Sequence, residues 1–472
     1  MENGNGRRNG GAKRSDDKRL NQSDLLRRAI HWVLNDKMFA NLDRHGNTKW
    51  TPKYLVALAV LTAWSDAQRM TDAFDKARKL SQAMFSQVAI KTFQGMMRAL
   101  VTWTGRLLPL LWLRLHELMQ QAGGEHYRIG KWLPLAVDGS RLTTPRTKSN
   151  EQAFSAKNFG KSKKARSRCK WKNKKKRSKK LGEPVKPQIW LTLIWHMGLK
   201  LPWCWKTGPS TSSERHHMME MQQAHQFPEN TLFCCDAGFV GYELWKSILT
   251  AGHSFLIRVG GNVRLLKHLG HARTGKGIVY LWPDAAARQH QEPIVLRLIE
   301  VSNGRGTMYL VTNVLSQREL SMPLLKRLYP LRWGVELQFR AVKQTFGRSK
   351  LKSRNSDHAL TELDWSLVAL TMVQLFAIRE QIKLDEPPEQ TSVSEALRAI
   401  RYAMDNWYEP ACGNNKLTSR LQAAKKDNYE RTSCRTSRYR PDIKDKPSAT
   451  KPVVLRATRK QREAYRDFQI AC

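Results

Sequence analysis

Acidic residues are scarce in this chain: 40 Asp and Glu stand against 82 Lys and Arg, leaving a formal charge of +42 over 472 residues. Paired cysteines are missing too. The seven Cys are odd in number and scattered, and none forms a C-x-x-C pair, which argues against a disulfide scaffold or a zinc finger and for a reducing compartment. Long apolar runs are lacking: residues 55–64 and 107–115 are too short to span a bilayer. The N-terminus, MENGNGRRNGGAKRSDDKRL, has no apolar stretch of the signal-peptide kind. There is also no G-x-x-x-x-G-K-[ST] loop, so nucleoside triphosphate hydrolysis is disfavoured. A cytoplasmic protein with no membrane and no NTP is the expectation.

What is present is positive charge on a chain able to build a core. Hydrophobic residues make up 41%, with 16 Trp. So large a basic excess repels itself unless a polyanion is the partner, and nucleic acid is the first candidate. Residues 161–180, KSKKARSRCKWKNKKKRSKK, concentrate that charge: 13 of 20 are Lys or Arg and none is acidic. Lys163, Lys164, Lys174, Lys175 and Lys176 are candidate DNA contacts there.

Texture divides the chain. Residues 1–23 read as a disordered basic arm. Residues 24–124 carry apolar spacings of three and four and end on Gly123–Gly124, which predicts a helical region. It is either a helix-turn-helix-like DNA-binding unit, with residues 86–104 as recognition helix, or a plain bundle. Residues 125–259 change to strands at 132–137, 188–197, 231–235 and 253–259. Thr211-Ser-Ser-Glu214 reads as a capping box opening a helix over 212–225. Strands with an interleaved helix predict a mixed α/β domain. Residues 260–313 read as a β-rich insertion, 314–405 as a helical second part of the same domain, and 406–472 as a basic, loosely ordered tail. The apolar helix around 363–378 is broken by Asp364, Ser366, Thr371 and Gln374 and is expected in the core.

The most informative segment is YPLRWGVELQFRAVK, residues 329–343. Tyr329, Arg332, Glu336, Arg340 and Lys343 are spaced 3, 4, 4 and 3, which on one α-helix sets all five on one face. Leu328, Val335, Phe339, Val342 and Phe346 form a separate apolar stripe. A lone Glu among cations is ordinarily a salt-bridged surface. Here the cations outnumber the acid, leaving charge for phosphate. Two further acids close apolar runs: Asp138 in LPLAVDGSRL and Asp236 in TLFCCDAGF. Each alone fits a turn former as well as a ligand. Together with Glu336, they supply three hard oxygen donors of the kind that hold Mg²⁺, with Mn²⁺ able to substitute, for phosphodiester chemistry.

The spacing Y-x₂-R-x₃-E-x₆-K resembles the signature of the insertion-sequence-four family of bacterial DDE transposases. The blocks DGSRLTTPRT, GPSTSSER, DAGFVGYELW, FLIRVGGN and YLVTN are similar to those around its acids, over roughly residues 50–405. The resemblance implies a ribonuclease-H-like catalytic domain with a β-rich insertion, preceded by the helical region. It implies Asp138, Asp236 and Glu336 as catalytic metal ligands, and Tyr329, Arg332 and Lys343 as contacts to the DNA backbone, with Arg340 a further phosphate contact by charge. It implies cut-and-paste transposition: a homodimer binds double-stranded terminal inverted repeats, cleaves phosphodiester bonds and joins 3′-hydroxyl ends to target DNA. Alternatives are an inactive or domesticated DNA-binding derivative, or a structure-selective nuclease without strand transfer. Hairpin-forming relatives place an aromatic residue on the last insertion strand. That position here falls on Met308, with Tyr309 or Trp282 as substitutes.

Overall fold

The computed structural model describes residues 20–43, 46–86, 89–155, 186–270, 277–302, 307–427 and 451–471. Lys163, Lys164, Lys174, Lys175 and Lys176 lie outside them, as does nearly all of the N-terminal arm. Four helices come first: α1 (Gln22–Val33), α2 (Pro52–Trp64), α3 (Met70–Phe85) and α4 (Phe93–Gly123). Then follow β1 (Leu133–Thr143), α5 (Lys148–Phe154), β2 (Gln188–His196), β3 (Leu201–Pro209), α6 (Glu214–Ala224), β4 (Thr231–Cys235), α7 (Tyr242–Thr250) and β5 (Ser254–Val259). The insertion holds β6 (Arg264–Lys267), β7 (Ile278–Leu281), α8 (Asp284–Arg288), β8 (Ile294–Ser302) and β9 (Thr307–Thr312). After it come α9 (Met322–Leu331), α10 (Gly334–Arg340), α11 (Ser356–Ile382), α12 (Val393–Asp405), α13 (Leu417–Gln422), β10 (Val453–Arg456) and α14 (Arg459–Ala471).

One ten-stranded sheet runs in the order β10-β6-β7-β8-β9-β5-β4-β1-β2-β3. Its half β3-β2-β1-β4-β5 has β1, β2 and β3 antiparallel in succession and β1, β4 and β5 parallel. With α6 between β3 and β4, this is the ribonuclease-H-like arrangement. The strands β6–β9 form an antiparallel meander whose last member pairs with the open edge of β5, so the insertion prolongs the catalytic sheet.

The helices and the sheet share one continuous apolar core. Thr51 caps α2 by accepting from the Tyr54 N–H, and Pro52 opens the helix where its missing N–H costs nothing. Nearly every residue of α2 is buried, and the Trp64 indole donates to the Ala369 carbonyl of α11 across 2.9 Å. The segment 86–104 does not form a helix of its own. From Phe93 it is the first part of the 31-residue α4, locked to α11 by the Trp365 indole donating to Thr104 Oγ1 at 2.9 Å. Helix α11 is long and apolar enough to cross a membrane, but 94% of its apolar window is buried among the other elements. The described cysteines, Cys204, Cys234, Cys235 and Cys412, are free thiols.

Within the stretch that composition predicts to be a loose tail, the described residues 406–427 and 451–471 include regular elements. Helix α13 packs on α11 and α12, with Gln381 Nε2 donating to the carbonyls of Leu421 and Ala424. Strand β10 adds in parallel to β6, and Tyr465 of α14 meets Trp282 edge-on. Apolar residues spaced between the charges supply the burial that net charge conceals: Ala457 is 3% exposed within this basic stretch.

Candidate active site

Strand register places the first two acids. Ala136 of β1 pairs with Cys234 of β4 in parallel, so Asp138 and Asp236 each stand two residues beyond that pair, on neighbouring strands. Strand β1 runs on to Thr143 because β2 still pairs with it, whereas β4 ends at Cys235. Asp138 is half-buried, and its Oδ1 accepts from the Gly139 N–H at 2.8 Å. Asp236 caps the short turn Ala237–Phe239 by accepting from the Gly238 N–H at 2.8 Å.

The segment carrying Glu336 is not the single straight helix that its spacing predicts. Pro330 lacks the N–H that would continue the ladder, and α9 stops at Leu331. Arg332 and Trp333 turn the chain, α10 begins at Gly334, and residues Ala341–Thr345 widen into a π-helical turn. Gly334 is what seats α10 on the sheet: a Cβ there would fall 2.1 Å from the Trp195 ring of β2.

These breaks sort the five residues predicted to share a face. Glu336 is half-buried and close enough to Asp138 for their charges to act on each other. Lys343 reaches β1, donating from Nζ to Ser140 Oγ at 2.7 Å. Arg332 is 9% exposed, 5.8 Å from the Tyr329 ring centroid, and acts on Asp138 through its charge. Tyr329 is 7% exposed, and its hydroxyl donates to the Cys235 carbonyl, one residue before Asp236. In this position it braces the aspartate's strand end. Arg340, the last residue of α10, is exposed.

Sequence reasoning missed a fourth acid. Helix α6 begins at Glu214, with Ser213 as a cap residue that makes no side-chain capping bond. The capping box read from Thr211-Ser-Ser-Glu214 is therefore not formed, because Glu214 sits at the first helical position and not the third. Its carboxylate instead lies over Gly139, where a Cβ would meet Glu214 Oε1 at 2.5 Å, and Oε2 lies 3.8 Å from the Cβ position of Gly238. The glycine after Asp138 was the available signal: it leaves room for a side chain arriving from elsewhere.

Burial and the neighbouring carboxylates raise two of these acids, Asp138 and Glu214. Burial pushes the Asp138 carboxyl up to about 6; the Gly139 N–H opposes it, Asp236 and Glu336 add to it, and Arg332 opposes it. Burial likewise raises Glu214 to about 7, helped by Asp138 and Asp236 against Arg141. As they stand, no group of three or more Asp, Glu, His or Cys among the described residues is closed around a point that could hold a metal ion. The donor set is nonetheless all carboxylate oxygen, which fits a hard divalent cation.

The two aromatic candidates on the insertion differ in burial. Trp282 is 6% exposed, with its indole donating to the Gln291 carbonyl at 2.8 Å, so its ring belongs to the core. Tyr309 is partly exposed on β9, with Lys451 Nζ 6.0 Å from its ring centroid.

The sequence profile of the family described as Transposase DDE domain matches residues 133–372, from the first residue of β1 into α11. The chain belongs to this family of DDE transposase domains. All four acids lie within the matched stretch of the DDE domain. The chain is also similar to the transposase InsG for insertion sequence element IS4 of Escherichia coli (strain K12), at 26% identity over 275 residues and 56% of each protein. It thus spans about half the length of that relative. Among solved structures, a chain of the cryo-EM structure of the piggyBac transposase synaptic complex with hairpin DNA matches at 13% identity and a TM-score of 0.39, over 87% of each chain.

Proposed function

We propose that this chain is a DNA transposase that moves an insertion sequence by divalent-metal-dependent cutting and joining of phosphodiester bonds. The observation that carries the reading is the placing of Asp138 and Asp236 at adjoining parallel strand ends, with Glu336 brought to them on a helix seated against β2. On this reading a homodimer binds the double-stranded terminal repeats, cleaves them and joins the freed 3′-hydroxyls to target DNA, without an NTP.

Asp138, Asp236 and Glu336 hold Mg²⁺, or Mn²⁺ in its place. When bound, the cation supplies Lewis-acid activation of a water or 3′-hydroxyl and stabilises the leaving oxygen. The chain's own groups position the DNA. Lys343, fixed on Ser140, sets a positive charge beside β1 for a phosphate of the cleaved strand. Arg332, largely buried, balances charge at Asp138 and presents a positive potential in a low-dielectric setting. Arg340 and the lysines of residues 161–180 add sequence-independent phosphate contacts farther along the duplex.

The test is a plasmid-target assay with a DNA fragment carrying the element's own ends. Cut and joined products in Mg²⁺ are expected. Cutting without joining would indicate a nuclease, and binding with neither would indicate a DNA-binding derivative.

A further inference from the structure

Three carboxylates suffice for the proposed chemistry, and that leaves Glu214 without a task. Its place is specific. Helix α6 leaves β3 and crosses the sheet so that its first residue projects onto the backbone of β1 just past Asp138. At Gly139 a Cβ would stand 2.5 Å from Glu214 Oε1, 2.7 Å from its Cγ and 2.8 Å from its Cδ, distances that real Cβ atoms do not tolerate. The absence of a side chain at 139 is the cradle in which Glu214 lies. Its other oxygen is 3.8 Å from the Cβ position of Gly238, in the turn that Asp236 caps. The carboxylate head thus lies between the residues that follow each of the two strand-end aspartates.

Helix α6 is also tied to this place. Arg215 Nη1 donates to the Val240 carbonyl at 2.8 Å, strapping the first turn of α6 to the segment that leaves Asp236. The charged groups facing Glu214 are Asp138, Asp236 and Arg141; the last is exposed and lies 4.6 Å from the centroid of the Trp190 ring. Two like charges against one exposed cation is an arrangement that a divalent cation would relieve.

We propose that Glu214 is a fourth carboxylate of the cation site, reaching across Gly139 to hold the same divalent ion as Asp138 and Asp236. The proposal rests on the metal-dependent function proposed for the chain. It makes Glu214 a ligand that reaches the ion from the first residue of α6.

The test is titration calorimetry of the full chain with MnCl₂, without DNA, so that binding is read apart from activity. The variants are Glu214→Gln, Gly139→Ala, Asp138→Asn and, as a surface control on the same helix, Glu220→Gln. Glu214→Gln is expected to weaken Mn²⁺ binding by about tenfold or more. Gly139→Ala is expected to do the same by displacing the carboxylate while leaving Asp138 in place, and Glu220→Gln should match the unaltered chain. Near-ultraviolet circular dichroism establishes that each variant is folded, and either of the first two variants alone decides the outcome. Unchanged Mn²⁺ affinity in Glu214→Gln or Gly139→Ala, with loss in Asp138→Asn, overturns the role of Glu214 and leaves the three-carboxylate site standing. Equal binding by Asp138→Asn and the unaltered chain overturns both.

Discussion

The Tyr329 hydroxyl donates to the Cys235 carbonyl across 3.2 Å, joining the helix before Glu336 to the residue before Asp236. Two parts of the site that lie far apart in sequence are held in register by one buried bond. Tyr329→Phe should cost about 1 kcal/mol of stability, the net worth of such a bond. It should also slow cleavage while leaving metal-free DNA affinity unchanged. Urea denaturation and filter binding check the two halves; a fall in affinity at unchanged stability would instead make Tyr329 a phosphate contact.

Gly334→Ala places a methyl against the Trp195 ring, where there is no room for it. Overpacking of this kind typically costs about 1–3 kcal/mol. Because α10 must lift off β2 to relieve it, Glu336 moves as well. Cleavage should therefore fall further than the melting temperature alone accounts for, measured well below the melting point. Near-normal cleavage in a folded Gly334→Ala variant would show that the close approach does not set the position of Glu336.

The acids predict a pH dependence whose sign follows from their shifts. Asp138 and Glu214 sit at about 6 and about 7 in the folded chain, against ordinary values of 3.8 and 4.5. The folded state therefore holds more protons than the unfolded one between about pH 4 and pH 7, and stability falls as pH rises through that window. Below it both states are protonated and the penalty is absent; above it the penalty is complete. Without metal, Glu214→Gln should melt higher than the unaltered chain at pH 8 and equally at pH 4. Mn²⁺ should bind more tightly from pH 6 to pH 8, as the protons it displaces become easier to lose. A melting difference of the opposite sign at pH 8 would contradict the charge cluster.

Salt reports on the basic segment. Replacing Lys163, Lys164, Lys174, Lys175 and Lys176 together by Gln should flatten the plot of log affinity against log salt. The slope should shrink by about 0.9 for every phosphate that these lysines no longer neutralise. An unchanged slope in fluorescence anisotropy titrations would remove this segment from the DNA interface.

Much of the site was readable because strand-end acids and a charged helix leave local marks. Asp138 and Asp236 each close an apolar run, and register alone then sets them side by side. Glu336 carries its own spacing signal. Periodicity failed where chain breaks intervene: the helix that carries Tyr329 ends at Leu331, a new one begins at Gly334, and residues 341–345 widen into a π-helical turn, none of which a helical wheel shows. Glu214 was hidden for a different reason. A Thr-x-x-Glu start to a helix is explained locally by capping, whereas its real neighbour, Gly139, is 75 residues away in sequence and marked only by what it lacks. In the described part of the tail, a few apolar residues among many charges are enough to dock β10 and α14, which composition does not show.

The most direct test of the three-acid site is cleavage of a DNA fragment bearing the element's terminal repeats, with and without Mg²⁺, by the unaltered chain and by Asp138→Asn, Asp236→Asn and Glu336→Gln. The three-acid site predicts cutting by the unaltered chain in Mg²⁺ only, and loss of cutting in each variant with DNA binding retained. Cutting by Glu336→Gln at the unaltered rate would contradict it.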